Sequence, residues 1–260
     1  MVVVLGVLLL CWGTGLLHFI HVDSSHHTHS SQQTHVLSDR SKEAQTRQSS
    51  RGKFQKQKNL KKQTIAQKFG ITSDDWRLVL VNRTHTRPEM NPALAQIDSR
   101  CAVDSRIASD LEQFLAHAQR IDRNVHYISC YRSVEYQHEV FERYVNDEMS
   151  AHPDWSREQA ETQVKTYSQP AGASEHQTGL AVDLSSQEEL NAQNPDLARK
   201  IQEIAPQYGF ILRFPQGGEK STGVGYEDWH YRYVGPDIAR YITDRGWTLE
   251  EFIKHIDDVA

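Results

Sequence analysis

The chain has 260 residues, with 29 Lys and Arg against 34 Asp and Glu and a formal net charge of −5. That charge is unevenly spread: positions 21–66 hold nine Lys and Arg against three Asp and Glu, a net of +6, which leaves −11 for the rest. The remaining ~190 residues have room for one sizeable core, contain no internal repeat, and are too acidic to offer nucleic acid a basic surface, so repeat arrays and nucleic-acid binding are set aside.

Residues 1–20 contain no Asp, Glu, Lys or Arg, and their apolar run approaches the ~20 residues that span a bilayer as a helix. A cleaved signal would show a basic start and a small-residue cleavage site. Neither is evident, so an uncleaved anchor is favoured over a signal peptide. The first Lys and Arg follow the apolar run, against the positive-inside rule, so charge does not set its orientation. Cys11 lacks the preceding small residue of a lipoprotein site. Residues 21–66, rich in His, Ser, Gln and Lys, cannot bury enough apolar surface to offset chain entropy and read as a disordered tether. The tether is either simply solvated or laid along anionic polymers or headgroups; His26, His27 and His29 read as solvated rather than metal-capturing.

Residues 67–260 read as the catalytic domain. Arg77–Val81 is expected to be a strand. Ile107, Leu111, Phe114, Leu115 and Ala118 share one helical face, and Val125–Cys130 reads as a second strand. A helix is expected from Val134 to Met149, and Ser156 with Gln159 forms a capping-box pattern opening another. Strands at Leu180–Leu184, Phe210–Phe214 and Trp229–Val234 follow, with a helix over Pro195–Tyr208 stopped by Gly209. Thr248 and Glu251 cap a terminal helix. Strands and helices mix without βαβ regularity, so the fold class is α+β, an antiparallel sheet flanked by helices. Cys101 and Cys130 are the only cysteines of the domain; an exported protein closes such a pair as a disulfide, and two buried thiols are the alternative.

Ser174-Glu-His-Gln-Thr-Gly-Leu-Ala-Val-Asp183 and Tyr226-Glu-Asp-Trp-His230 supply two imidazoles and two carboxylates. His176, Asp183 and His230 make a three-ligand set for one Zn2+, which leaves a fourth tetrahedral position open and separates a hydrolytic site from a closed structural one. Seven residues of strand would part His176 and Asp183 by about 23 Å, against roughly 10 Å for a shared ion. His176 is therefore expected on a loop, with Gly179 turning the chain into the strand that carries Asp183. Glu227 is the spare carboxylate, placed to act as base. His85, His117, His126, His138, His152 and His255 are surface or packing residues, and Arg106 anchors a helix start. Trp229 and Tyr231 either wall a cleft or pack in the core.

Three motifs carry a resemblance: Ser129-Cys-Tyr-Arg-Ser133, Ser174-Glu-His-x-x-Gly-x-Ala-x-Asp183 and Tyr226-Glu-x-Trp-His-x-Arg-Tyr-Val-Gly235. From about Trp76 onward the chain is similar to the D-alanyl-D-alanine carboxypeptidase family of zinc peptidases, the VanY-like group that trims bacterial peptidoglycan stems. The resemblance implies zinc on His176, Asp183 and His230, water activation by Glu227, and substrate contacts from Arg132, Gln137 and Ser174. Arg132 would hold a terminal carboxylate or stabilise an oxyanion. Cys130 replaces the family's usual Gly, Asp228 its usual Pro, and a Lys usual in the rim loop is absent at position 218. The activity so implied is release of the terminal D-alanine from stem peptides, D,D or L,D, by a monomer at the outer face of the membrane; an endopeptidase and a non-catalytic wall-binding module are the alternatives.

Overall fold

The computed structural model describes residues 63–258 except positions 73 and 190. The expected anchor and nearly all of the expected tether lie outside the described residues. Among those described, no helix is long and apolar enough to cross a membrane. The described residues include the last four positions of the expected tether, 63–66. Thr64 caps α1 (Ile65–Phe69) in a capping box with Gln67, and Ile65 is buried beside Leu249, Phe252 and Ile256. One apolar residue with a C-terminal partner is enough to order a segment whose composition alone reads as tether.

The elements that follow are β1 (Leu94–Gln96), β2 (Ala102–Asp104), α2 (Ala108–Ile121), β3 (His126–Ser129), α3 (Val134–Ala151) and α4 (Arg157–Val164). Then come β4 (Ala181–Ser185), α5 (Pro195–Ile204), β5 (Phe210–Leu212), α6 (Glu219–Thr222), β6 (His230–Tyr233), α7 (Pro236–Arg245) and α8 (Leu249–Lys254). β3, β4, β6 and β5 form, in that order, a four-stranded sheet in which every pair is antiparallel; β1 and β2 make a separate hairpin. The α+β expectation therefore holds.

The two-residue period of the strands divides the sheet into two faces. Val182, Leu184, Phe210, Tyr231 and Tyr233 point to one face and join Leu111, Phe114 and Ala118 of α2 and Ile201 of α5 in the main core. Phe114 stacks on Phe210 at 5.2 Å and meets Tyr231 edge-on at 5.2 Å. Each such large apolar side chain contributes about 1.5–3 kcal/mol on burial. The other face carries Asp183, His230, Arg232 and Ile211, and Ile211 packs with Ile238, Ile242 and Phe252 of α7 and α8. Tyr231 is thus a core residue.

Two expected elements differ. Arg77–Val81 is not a strand: Asp75 caps a 3-10 turn over Trp76–Leu78, and the carbonyls of Arg77 and Val79 accept from Arg232 Nη2, at 2.9 Å each, instead of from a neighbouring strand. The helix from Pro195 tightens into a 3-10 turn over Ala205–Tyr208, since Pro206 has no N–H to continue the α ladder. Gly209 ends it at φ 86°, where a Cβ would lie 2.6 Å from the Tyr233 ring. The capping boxes at Ser156 and Thr248 are both formed. The β1–β2 hairpin is too short to be evident from periodicity.

Cys101 and Cys130 are joined in a disulfide with Cα atoms 5.1 Å apart, which resolves the choice left open by the sequence. It ties the end of β3 to the start of β2.

Candidate active site

Strand register builds half of the site. Asp183 of β4 is the direct partner of His230 at the head of β6, so their side chains leave the same face side by side. His176 arrives from a short 3-10 turn, Glu175–Thr178, that Gly179 ends at φ 69°. A Cβ on Gly179 would sit 2.8 Å from the backbone nitrogen of Asp104; only glycine turns the chain there. The loop placement of His176 and the turn at Gly179 match the reading from spacing.

Among the described residues, His176, Asp183 and His230 form a buried group whose candidate donor atoms lie within 4.8 Å of one another. His176 Nε2 is 3.3 Å from Asp183 Oδ2, and His230 Nδ1 is 3.2 Å from Asp183 Oδ1. Tetrahedral bonds of about 2.0–2.1 Å set neighbouring ligand atoms about 3.3–3.4 Å apart, close to each His–Asp separation, and two imidazoles with one carboxylate are a donor set that suits zinc. Asp183 Oδ1 is buried without a hydrogen-bond donor, as a metal ligand would be. His176 Nδ1 lies 2.7 Å from the Cys130 carbonyl; only a protonated Nδ1 can donate there, which leaves the Nε2 lone pair facing Asp183.

The electrostatics agree with that division. Burial, together with the Arg132 cation, lowers the His176 pKa to about 4 against the pull of Asp183, which keeps the ring neutral. Burial opposes the Asp183 charge, but His176 and His230 outweigh it and hold the carboxyl far below its ordinary range. Burial also opposes a charge on His230; the facing carboxylates of Asp183 and Glu175 prevail and raise it to about 9. Glu227, whose Oε2 is 3.6 Å from His230 Nδ1, is pushed by burial up to about 8.

Arg132, Ser174 and Glu227 line one cavity together with His176, Asp183 and His230. Its walls include Tyr144, Tyr167, Phe214 and Trp229, so Trp229 faces the cleft. The Arg132 Nε is buried without a partner. Its segment is fixed by Glu89, which accepts from Tyr131 Oη at 3.1 Å and from the Val134 N–H at 2.6 Å. Gln137 is buried behind the wall: its Nε2 donates to the Gln169 carbonyl at 2.6 Å, and Gln169, not Gln137, lines the cavity. The sequence reading brought Gln137 to the substrate; the structure places it one layer back, on an inward face of α3.

Among the described residues, none of the other histidines joins the group. His117 bonds Tyr208 Oη, His126 meets Glu188, and His152 stacks on Trp155. Arg106 pairs with Asp104 at 2.6 Å and lies over the Trp76 ring. Sequence reasoning missed Glu175, Arg213 and Arg232, a buried charged cluster against the site. Its signal was present: Arg213 stands between Leu212 and Phe214, and Arg232 between the core residues Tyr231 and Tyr233.

A profile of the VanY family, described as D-alanyl-D-alanine carboxypeptidase, matches residues 100–236. A D-alanyl-D-alanine carboxypeptidase of Enterococcus faecalis (strain ATCC 700802 / V583) is 34% identical over 69% of this chain and 66% of its own length. The putative carboxypeptidase YodJ of Bacillus subtilis (strain 168) is 36% identical over 51% of this chain and 46% of its own. The chain thus spans between about half and two thirds of these relatives. Among solved structures, VanYB in complex with D-alanine-D-alanine superposes with a TM-score of 0.63 at 32% identity, covering 69% of this chain and 98% of that one. A mutant of the D,D-pentapeptidase VanY in complex with Zn(II) gives 0.62 at 32%, covering 69% and 99%. The LD-carboxypeptidase LdcB gives 0.57 at 30%, covering 69% and 86%. With the zinc-type ligand group, the sheet register and the family match in agreement, the chain belongs to the VanY family of D-alanyl-D-alanine carboxypeptidases.

Proposed function

We propose that this chain is a zinc-dependent carboxypeptidase that removes the C-terminal D-alanine from peptidoglycan stem peptides. One observation carries the reading: a three-donor metal group, a buried carboxylate 3.6 Å from one of its ligands and an unpaired guanidinium nitrogen share a single cavity. His176, Asp183 and His230 hold the ion, which when bound polarises the scissile carbonyl and lowers the pKa of a coordinated water toward ~7. Glu227 is the general base: its carboxylate takes a proton from the attacking water and passes it to the departing amine. Its burial raises its basicity toward the working pH.

Arg132 binds the free terminal carboxylate. A planar guanidinium that cannot deprotonate presents two parallel donors to such a group, and its segment is held rigid through Glu89. Ser174 adds a neutral hydrogen bond, and Gln137 acts through Gln169 by fixing that part of the wall. The similarity to VanYB, described with D-alanine-D-alanine, and to an LD-carboxypeptidase supports a terminal D-alanine as the leaving residue in either stereochemical setting. We place the domain outside the cytoplasm, tethered by residues 21–66 to an anchor at 1–20. The Cys101–Cys130 disulfide supports an oxidising compartment.

The test compares a stem peptide carrying a free C-terminal D-alanine with the same stem amidated. Removing the charge that Arg132 reads should lower kcat/KM about ten- to a hundredfold, the worth of a charge-assisted hydrogen bond, and Arg132→Lys should itself lose activity on the free acid, since a point charge cannot reproduce the planar fork. Equal rates on acid and amide would remove the carboxypeptidase reading and favour cleavage within the peptide.

A further inference from the structure

Glu175 precedes a metal ligand in sequence yet stands outside the ligand group. It is buried, and its Oε1 accepts from Arg213 Nε at 2.9 Å and from Arg232 Nη1 at 2.7 Å. Both guanidiniums are themselves fixed on other sides. Arg213 donates twice to Glu250 of α8, at 2.9 and 2.6 Å, and Arg232 donates to the carbonyls of Arg77 and Val79. Two carboxylates and two guanidiniums balance, so Glu175 keeps its charge although burial opposes it.

Its second oxygen has no such partner. Glu175 Oε2 and His230 Nε2 are both buried without a hydrogen bond, and they face each other across 3.8 Å. The opposite edge of the same ring, Nδ1, faces Asp183 and Glu227. An imidazole in this position has two edges with different demands: one must present a lone pair to the metal, and the other is turned to a carboxylate, which can only accept. A carboxylate at that second edge fixes which nitrogen carries the proton and how the ring is turned.

We propose that Glu175 is a positioning residue that holds His230 with its proton on Nε2 and its Nδ1 free for zinc, and that the buried Arg213 and Arg232 aim it. The proposal rests on the zinc assignment. The two imidazoles of the site then carry opposite tautomers. His176, anchored through Nδ1–H on the Cys130 carbonyl, offers Nε2, and His230, anchored through Nε2–H on Glu175, offers Nδ1. Asp183 stands between the two offered nitrogens, 3.3 and 3.2 Å from them. The cluster links the metal ligand to α8 and to the segment before β1, so the site is braced from elements remote in sequence.

The experiment begins with zinc stoichiometry of the full chain; absence of binding would overturn the metal assignment itself. In the zinc-loaded protein labelled with 15N-histidine, long-range 1H–15N correlations report which ring nitrogen is protonated. The expected result is Nε2–H, slow to exchange, for His230 and Nδ1–H for His176. A His230 protonated on Nδ1, or an Nε2–H exchanging as fast as an exposed histidine, would overturn the role of Glu175 while leaving the zinc site standing. This arm uses the parent protein and needs no variant to fold. Glu175→Gln is then compared with Glu250→Gln, which removes the same charge from the same arginine cluster but does not reach His230. Against a chromophoric chelator, Glu175→Gln should weaken zinc binding about 10–100-fold and Glu250→Gln by less than threefold. Equal losses in the two would reduce Glu175 to a charge partner of the arginines and overturn the proposal.

Discussion

Replacing both half-cystines, as Cys101→Ala with Cys130→Ala, tests how fold and site are joined. The bridge closes a loop with a sequence separation of 29 residues. The entropy lost by the unfolded chain on closing a loop of that size corresponds to about 3.6 kcal/mol at 25 °C. Both positions are buried at 3% exposure or less, and alanine keeps them apolar, so the loss should be mainly this loop term plus a small cavity cost. For a domain of this size, that amounts to a fall in Tm of about 7–14 °C. The effect should extend to the site, because Cys130 lends its carbonyl to His176 Nδ1 at 2.7 Å and a looser β3 end weakens that anchor. Urea unfolding of the metal-free protein, with and without reductant, gives the stability, and chelator competition gives the zinc affinity. Reductant should destabilise the parent and leave the double variant unchanged. An unfolding free energy within about 1 kcal/mol of the parent would refute the loop argument.

Glu227→Gln should bind zinc as the parent does and lose about 10²–10⁴-fold in kcat, the usual cost of removing a general base; near-parental turnover in the metal-replete variant would remove Glu227 from that role. His176→Ala, Asp183→Ala and His230→Ala should each lower zinc content after dialysis, since each removes one of three donors; three variants that all retain stoichiometric metal would show the ligand set to be wrong. Zinc binding should release protons. The His230 pKa, raised from 6.5 to about 9 in the metal-free site, keeps that ring protonated below pH 9, and zinc must displace the proton from Nδ1. Calorimetry in buffers of differing ionisation enthalpy should therefore show net proton release on zinc binding near pH 7.5, falling as pH rises through 9; a binding enthalpy independent of buffer at pH 7.5 would refute this.

The amino-acid sequence by itself determined the parts whose physics is local. Capping boxes at Ser156 and Thr248, the stop at Gly209 and the apolar face of Leu111, Phe114 and Ala118 depend on neighbours within one or two turns, and each formed where its pattern stood. The candidate ligands were legible for a related reason: His176, Gly179 and Asp183 form a turn-into-strand unit, and a Glu three residues before His230 has few structural reasons to exist. Only the tertiary structure decided what depends on partners far along the chain. Arg77–Val81 has strand composition, but its carbonyls were claimed by Arg232, 153 residues or more away. Ile65 sits in a polar stretch and is ordered by the C-terminal helix. Cys101 and Cys130 are bridged because β2 and β3 meet, and Gln137 is set back because α3 turns it behind Gln169. The facing of Glu175 and His230 belongs to the same class. A buried charge is tolerated only where opposite charges converge on it, and that convergence, drawn here from five separate stretches of chain, exists in space and not in any window of the sequence.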